Sequence, residues 1–232
     1  MKEKLIAIKN KFLSQMKNEK IVSIYKKIYK LTIYLYEQIY KATTFCAKKL
    51  ADKGISANFI SIFGFVVGIL ALNFISMEMY ATALLCILIN RWFDALDGAV
   101  AKLSSPNKFG IFLDAVLDYM FYGAVIFGFA LANPQENAIA AAFLLFAFCA
   151  AACSLLAYAI IAYKENIVKE SPFYLGGFAQ GAETFIALII LCLVPGWFMP
   201  IAIVLGILCL IKAFSVISTA YYNFVISEKS KK

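Results

Sequence analysis

An all-α membrane protein, with six transmembrane helices preceded by an amphipathic juxtamembrane helix, is the fold class this sequence predicts, and three observations carry it. Hydrophobic residues make up 63% of the 232 positions and charged residues only 16%, a balance too apolar for a soluble domain of this length. Beyond residue 56 the chain runs through apolar stretches close to the ~20 residues needed to cross ~30 Å of hydrocarbon. The lysines crowd residues 2–53 and every second connection between those stretches.

Residues 1–54 form a basic amphipathic segment, in which Ile24, Ile28, Leu31 and Leu35 share one helical stripe while Lys26, Lys27 and Lys30 lie on other faces. Such a helix lies on a membrane. The formal charge of +8 is concentrated here, and lysines alternating with Ile, Leu and Tyr suit anionic lipid headgroups; a nucleic-acid partner is not expected. No compact apolar stretch followed by a small-residue cleavage site precedes residue 50, so a cleaved signal peptide is not expected either.

A membrane domain over 55–225 follows, with spans expected at about 57–77, 80–101, 109–131, 138–163, 182–194 and 198–222, and a basic tail at 226–232. The amino segment, the 102–108 and 164–169 connections and the tail carry lysine. The connections at Glu78, 133–137 and 195–197 carry none. The positive-inside rule therefore puts both termini on the cytoplasmic side, in agreement with an even number of spans.

Histidine is absent, which excludes histidine-based catalysis. The six cysteines, Cys46, Cys86, Cys149, Cys153, Cys192 and Cys209, lack paired metal-type spacing and read as small core residues. The aromatic side chains, including Phe109, Phe112, Tyr119, Phe121 and Tyr122, read as lipid contacts and helix packing.

Chemistry is expected where carboxylates enter the apolar spans: Asp94 and Asp97 near the end of the second, Asp114 and Asp118 near the start of the third. Ionised groups at such depth are costly and usually functional. Spacings of three and four residues place each pair on one helix face, and the short connection between the spans makes them antiparallel neighbours. Four convergent negative charges call for cations. Arg91, Lys102 and Lys108 are the nearby fixed ones, and a divalent metal centre is the alternative; all-oxygen ligation favours Mg²⁺ or Mn²⁺, with room for two ions. Gly98 costs about 1 kcal/mol in a helix relative to Ala, which implies close approach of a ligand or of another helix.

The stretch Asp94-Ala-Leu-Asp97-Gly98-Ala-Val-Ala101-Lys102, followed by Gly110, Asp114 and Asp118, resembles the signature of the CDP-alcohol phosphatidyltransferase superfamily. That signature is an Asp-x-x-Asp-Gly-x-x-Ala-Arg element followed by Gly-x-x-x-Asp-x-x-x-Asp. The resemblance implies six spans, a homodimer, and a reaction in which an acceptor hydroxyl attacks the β-phosphorus of a CDP-linked donor and displaces CMP with the help of two divalent cations. It implies Asp94, Asp97, Asp114 and Asp118 as metal ligands, with Asp118 also the catalytic base. Gly98 and Ala101 are implied to lie against the nucleotide. Lys102 stands where the family has arginine, a point charge in place of a planar fork.

The residues Ile55-Ser56-Ala57-Asn58-Phe59-Ile60-Ser61 resemble the family's Thr-Pro-Asn-x-x-Thr element, which makes Asn58 and Ser61 candidate donor contacts; a helix cap at the membrane entry is the alternative. Asn107 and Gly110 are further donor candidates. Lys164, Gln180 and Glu183 line the approach to the fifth span and are candidate acceptor contacts, although Glu183 also suits a helix amino terminus. The run Phe173-Tyr-Leu-Gly-Gly-Phe-Ala-Gln-Gly-Ala-Glu-Thr184 is similar to a bacterial branch of the superfamily, so a bacterial inner (plasma) membrane is expected, with the active site cytoplasmic. The implied donor is CDP-diacylglycerol or another CDP-alcohol, and the acceptor a small polar alcohol. The partners reversed (a soluble CDP-alcohol donor and a lipid acceptor), a divalent-cation carrier and a non-catalytic scaffold are the rival readings.

Overall fold

The computed structural model describes residues 40–104, 108–165 and 182–226, and its described residues form seven α-helices. Helix α1 lies within residues 40–52; α2 is Ala57–Ser76, α3 Tyr80–Leu103, α4 Lys108–Ala132, α5 Pro134–Lys164, α6 Ala182–Leu193 and α7 Phe198–Tyr221. A 3-10 turn at Pro195–Trp197 leads into α7, and a π turn at Tyr222–Ile226 closes it. The amphipathic stripe expected at residues 24–35 and the tail at 227–232 lie outside the described residues.

Among the described residues, four stretches are long and apolar enough to cross a membrane: α2, α4, α5 and the Pro195–Ile226 stretch that contains α7. The other two expected spans differ for separate reasons. Helix α3 is long enough at 24 residues but carries Arg91, Asp94, Asp97 and Lys102. Helix α6 has only 12 residues, about 18 Å of rise.

Helix α2 packs along both α3 and α4, α5 packs against α4 and α7, and α3 touches α6. The main core joins Ala71, Ile87, Phe121, Phe129, Leu144, Leu191 and Phe198 among others. Outward-facing side chains such as Phe63, Val66, Leu70, Phe127, Phe146, Ile160 and Phe214 are also apolar. Helices hydrophobic on both faces are suited to lipid on one side and protein on the other.

Without a hydrophobic force between helices in lipid, close approach depends on small residues. Ala140, Ala141, Ala147 and Ala151 on α5 are buried, as are Ala202 and Ala213 on α7. At Gly206 of α7 an added Cβ would lie 2.5 Å from the Phe143 ring of α5. A second, smaller core seats α1: Ala47 is fully buried with Ile60, Leu96 and Val100, so the basic segment ends in a helix docked beside α2 and α3.

The helix ends explain most boundary differences. Ser56 caps α2, its side chain accepting from the Phe59 amide. The fourth span begins at Pro134 rather than Ala138, because Asn133 accepts from the Glu136 amide and Pro134, with no N–H to satisfy, fits the first turn. Cys149 and Cys153 are exposed on α5 with their sulfurs 3.9 Å apart, which corrects their assignment to the core; Cys86, Cys192 and Cys209 are buried. Apolar lipid-facing surface accepts a thiol as readily as a core does.

Between α2 and α3, Glu78 sits at φ 59° while the Glu78 and Met79 amides donate to the carbonyls of Ile75 and Phe74. This is a left-handed helix cap, which favours glycine. Glu78→Gly is expected to stabilise the protein by about 0.5–1 kcal/mol, read as a raised thermal unfolding midpoint in detergent.

Candidate active site

The site is a cleft of ≈ 250 Å³ lined by Ser61, Gly64 and Phe65 of α2, Asn90, Arg91, Asp94 and Asp97 of α3, and Asp114, Leu117 and Asp118 of α4. Helices α3 and α4 are not closely packed against each other; each leans on α2, and the cleft opens between them. The expected antiparallel neighbours are thus held apart, with four carboxylates facing the space.

Glycines on α2 set that geometry. At Gly64 an added Cβ would meet the Phe93 Cβ at 2.6 Å, and at Gly68 it would meet Asn90 Nδ2 at 2.7 Å and the Phe121 ring at 2.8 Å. The Gly-x-x-x-Gly spacing lets α3 approach closely enough for Asn90 Nδ2 to donate to the Gly64 carbonyl over 2.9 Å. On α4, Gly128 performs the same service against Leu72.

Asp94, Asp97 and Asp114 each offer a carboxylate oxygen within 4.8 Å of the others. Asp97 is buried, Asp94 half-buried and Asp114 exposed. Ser61 stands beside Asp97 and donates its hydroxyl to the Ala57 carbonyl. Asp118 lines the same cleft. It accepts from Arg91 Nη2 at 2.7 Å, and Arg91 Nη1 lies 3.6 Å from Asp94 Oδ2.

Arg91 is itself braced. Its Nε and Nη2 donate to Asn90 Oδ1 at 2.9 and 2.7 Å, Nη1 reaches the Tyr122 hydroxyl at 3.4 Å, and the guanidinium carbon lies 4.7 Å from the Phe121 ring centre. Four carboxylates face this single cation in the cleft lining. Oxygen donors in that excess match the needs of a hard divalent ion, so the residues fit a metal site. Phe121 and Tyr122 are buried against Arg91, in keeping with helix packing, while Phe109 and Phe112 are exposed.

The remaining candidates are distributed as follows. Gly98 is exposed, and among the described residues a Cβ there would meet nothing within 4 Å. Asn58 is half-buried in the first turn of α2, where Ser56 serves as the cap instead. Ala101 is half-buried, and Lys102 is exposed in the last turn of α3. Gly110 lies half-buried in the first turn of α4. Lys164 is exposed at the end of α5, and Glu183 is the second residue of α6. Asn107 and Gln180 lie outside the described residues. Sequence reasoning missed Gly64, Gly68, Asn90 and Tyr122; the Gly-x-x-x-Gly spacing and an asparagine beside a lone intramembrane arginine were the available signals.

A bundle with lipid-facing sides and a carboxylate cleft between three of its helices defines an integral membrane protein with a polar site built on helices. The chain belongs to the CDP-alcohol phosphatidyltransferase family, which it matches over residues 55–208, and it is an enzyme of that class. It is 40% identical over 181 residues to the inner membrane protein YnjF of Escherichia coli, covering 76% of this chain and 88% of that one. It is also 35% identical over 85 residues to the archaetidylinositol phosphate synthase of Pyrococcus horikoshii, spanning 36% of this chain and 45% of that protein. The fold is similar to the crystal structure of Mycobacterium tuberculosis phosphatidylinositol phosphate synthase (PgsA1) with CDP-DAG bound, with a TM-score of 0.63 at 21% identity, over 78% of this chain and 94% of that one.

Proposed function

We propose that this enzyme transfers a phosphatidyl group from a CDP-linked donor, CDP-diacylglycerol, to a small polar alcohol and releases CMP, as a step of phospholipid synthesis. The observation that carries the reading is the convergence of Asp94, Asp97 and Asp114 within 4.8 Å, in one cleft with Asp118. Asp94, Asp97, Asp114 and Asp118 would hold two divalent cations, Mg²⁺ or Mn²⁺, which would supply charge neutralisation to the donor diphosphate and to the departing CMP. Asp118 takes the proton of the acceptor hydroxyl as its oxygen bonds to the β-phosphorus and the bond to CMP breaks.

Around that centre, Asn58, Ser61, Gly98, Ala101, Lys102, Asn107 and Gly110 are the proposed donor contacts. Open space at Gly98, one residue beyond Asp97, supports a close approach of the nucleotide there. Lys102 supplies a point charge to the diphosphate without a bidentate fork. Lys164, Gln180 and Glu183 are the proposed acceptor contacts. In the same reading the chain crosses a bacterial inner membrane six times, with both termini and the cleft cytoplasmic, and works as a homodimer.

The test is CMP release by protein purified in detergent, from CDP-diacylglycerol with a pool of polar alcohols and, separately, from soluble CDP-alcohols with diacylglycerol. Acceptor-dependent CMP from the first mixture, abolished by EDTA and restored by Mn²⁺ or Mg²⁺, is the expected result. CMP from the second mixture alone would reverse donor and acceptor, and none from either would remove the transferase reading.

A further inference from the structure

Helix α1 turns two different faces to its surroundings. On one, Ala47 is fully buried with Ile60 of α2 and Leu96 and Val100 of α3, and Thr43, a turn earlier, is nearly buried. The other carries Lys41, Phe45, Lys48 and Lys49, all exposed, at the i, i+4, i+7 and i+8 positions that share one side of a helix. Lys49 Nζ lies 4.5 Å from the centre of the Phe45 ring, which holds the ammonium on that side. No ion pair between described residues engages these lysines.

Position fixes what meets this face. After α1 the chain turns at Gly54, where φ is 75°, and Ser56 then caps α2, a helix apolar enough to cross a bilayer. A helix tied so closely to the start of a span lies at headgroup depth. Lysines around an aromatic ring, with Asp52 the one acid on α1, match anionic phosphates above and the acyl boundary below.

The seat of α1 is shallow. The Thr43 hydroxyl is buried without a hydrogen-bond partner among the described residues, a desolvation cost that no contact there offsets. Docking is therefore open to bias from a ligand on the outer face. The seat also adjoins the site: Asp97, which lies between Leu96 and Val100 in sequence, lines the cleft, and so does Ser61, next to Ile60.

We propose that the outer face of α1 is a binding site for anionic phospholipid headgroups of the surrounding membrane, and that lipid held by Lys41, Lys48 and Lys49 keeps α1 seated behind the cleft. The site stands apart from the donor and acceptor contacts; only its effect on turnover rests on the transferase reading above. Attraction to an anionic surface is worth about 5-fold per lysine and weakens with salt.

Cys46 reports the seat, because it is half-buried on α1 and packs against the same small core. The experiment measures N-ethylmaleimide labelling of Cys46, read by peptide mass spectrometry, on protein in nanodiscs holding one chain each. Discs of phosphatidylcholine alone are compared with discs that also contain phosphatidylglycerol. Phosphatidylglycerol is expected to slow labelling about 10-fold in wild type, but less than about 2-fold in the combined variant Lys41→Gln, Lys48→Gln and Lys49→Gln. That comparison cancels any effect of surface charge on the thiol itself. CMP release should rise with phosphatidylglycerol in wild type and stay level in the variant. Labelling indifferent to phosphatidylglycerol, or slowed equally in the variant, overturns the proposal. Protection that appears in phosphatidylcholine only with two chains per disc assigns the face to a second copy and also overturns it. Protection of Cys46 with CMP release indifferent to lipid overturns the link to the cleft. Should no CDP-alcohol yield CMP in any disc, the transferase reading fails, while Cys46 labelling still decides the lipid site.

Discussion

Asp118→Asn is expected to lower kcat for acceptor-dependent CMP release by about 10²–10⁴-fold, the range over which a positioned general base contributes. The substitution keeps the shape of the side chain and its ability to accept from Arg91 Nη2, which donates to Asp118 Oδ1 over 2.7 Å, with a neutral acceptor in place of a carboxylate. What it removes is the capacity to take a proton from the acceptor. Donor KM should therefore change little, and the loss should sit in kcat. Steady-state kinetics at varied donor and acceptor concentrations check this. A loss confined to KM would assign Asp118 to substrate binding.

Asp97→Asn acts on the cluster of Asp94, Asp97 and Asp114 and carries a different signature. Asp97 is buried within it, so its amide variant is expected to weaken Mn²⁺ binding by at least about 10–100-fold and to lower CMP release by about 10²–10³-fold. Removing one of several repelling negative charges should at the same time stabilise the metal-free protein. Thermal unfolding in detergent, with EDTA and with Mn²⁺, separates the two effects. The variant should melt higher than wild type without metal and gain less from its addition. A variant that melts lower under both conditions would make Asp97 a structural acid.

Much of the helical layout was legible in the sequence because the apolar runs are long and several are bounded by residues with strong local preferences. Ser56, Asn133 with Pro134, and Pro195 punctuate the chain where the helices begin, and the apolar runs between them are long. The acidic residues were legible for a related reason: a carboxylate inside an apolar run has few structural explanations. The contact of Asp118 with Arg91 was not. Spacing puts Asp114 and Asp118 on one face of α4, but which partner each meets depends on what α3 presents across the cleft. That depends in turn on Gly64 and Gly68 letting Asn90 approach. Such a contact joins residues 26 apart in sequence, beyond any helical period. The docking of α1 escaped notice because its buried contacts, Ala47 with Thr43, Cys46 and Leu50 about it, fall within a lysine-rich stretch.

The charges on α3 also bear on how the protein is made. Each ionised residue near the middle of a helix adds about 2.5–3.5 kcal/mol to the cost of leaving the translocon for lipid, and Arg91, Asp94 and Asp97 fall within one turn and a half of α3. Unlike α2, which carries no charged residue, α3 is therefore a poor substrate for insertion by itself. Its arginine finds Asp118 and Tyr122, 27 and 31 residues further along the chain, only when α4 has been synthesised. Entry of α3 into the bilayer is thereby tied to its two neighbours, and the polar contacts that build the cleft double as the assembly signal for the helices that surround it.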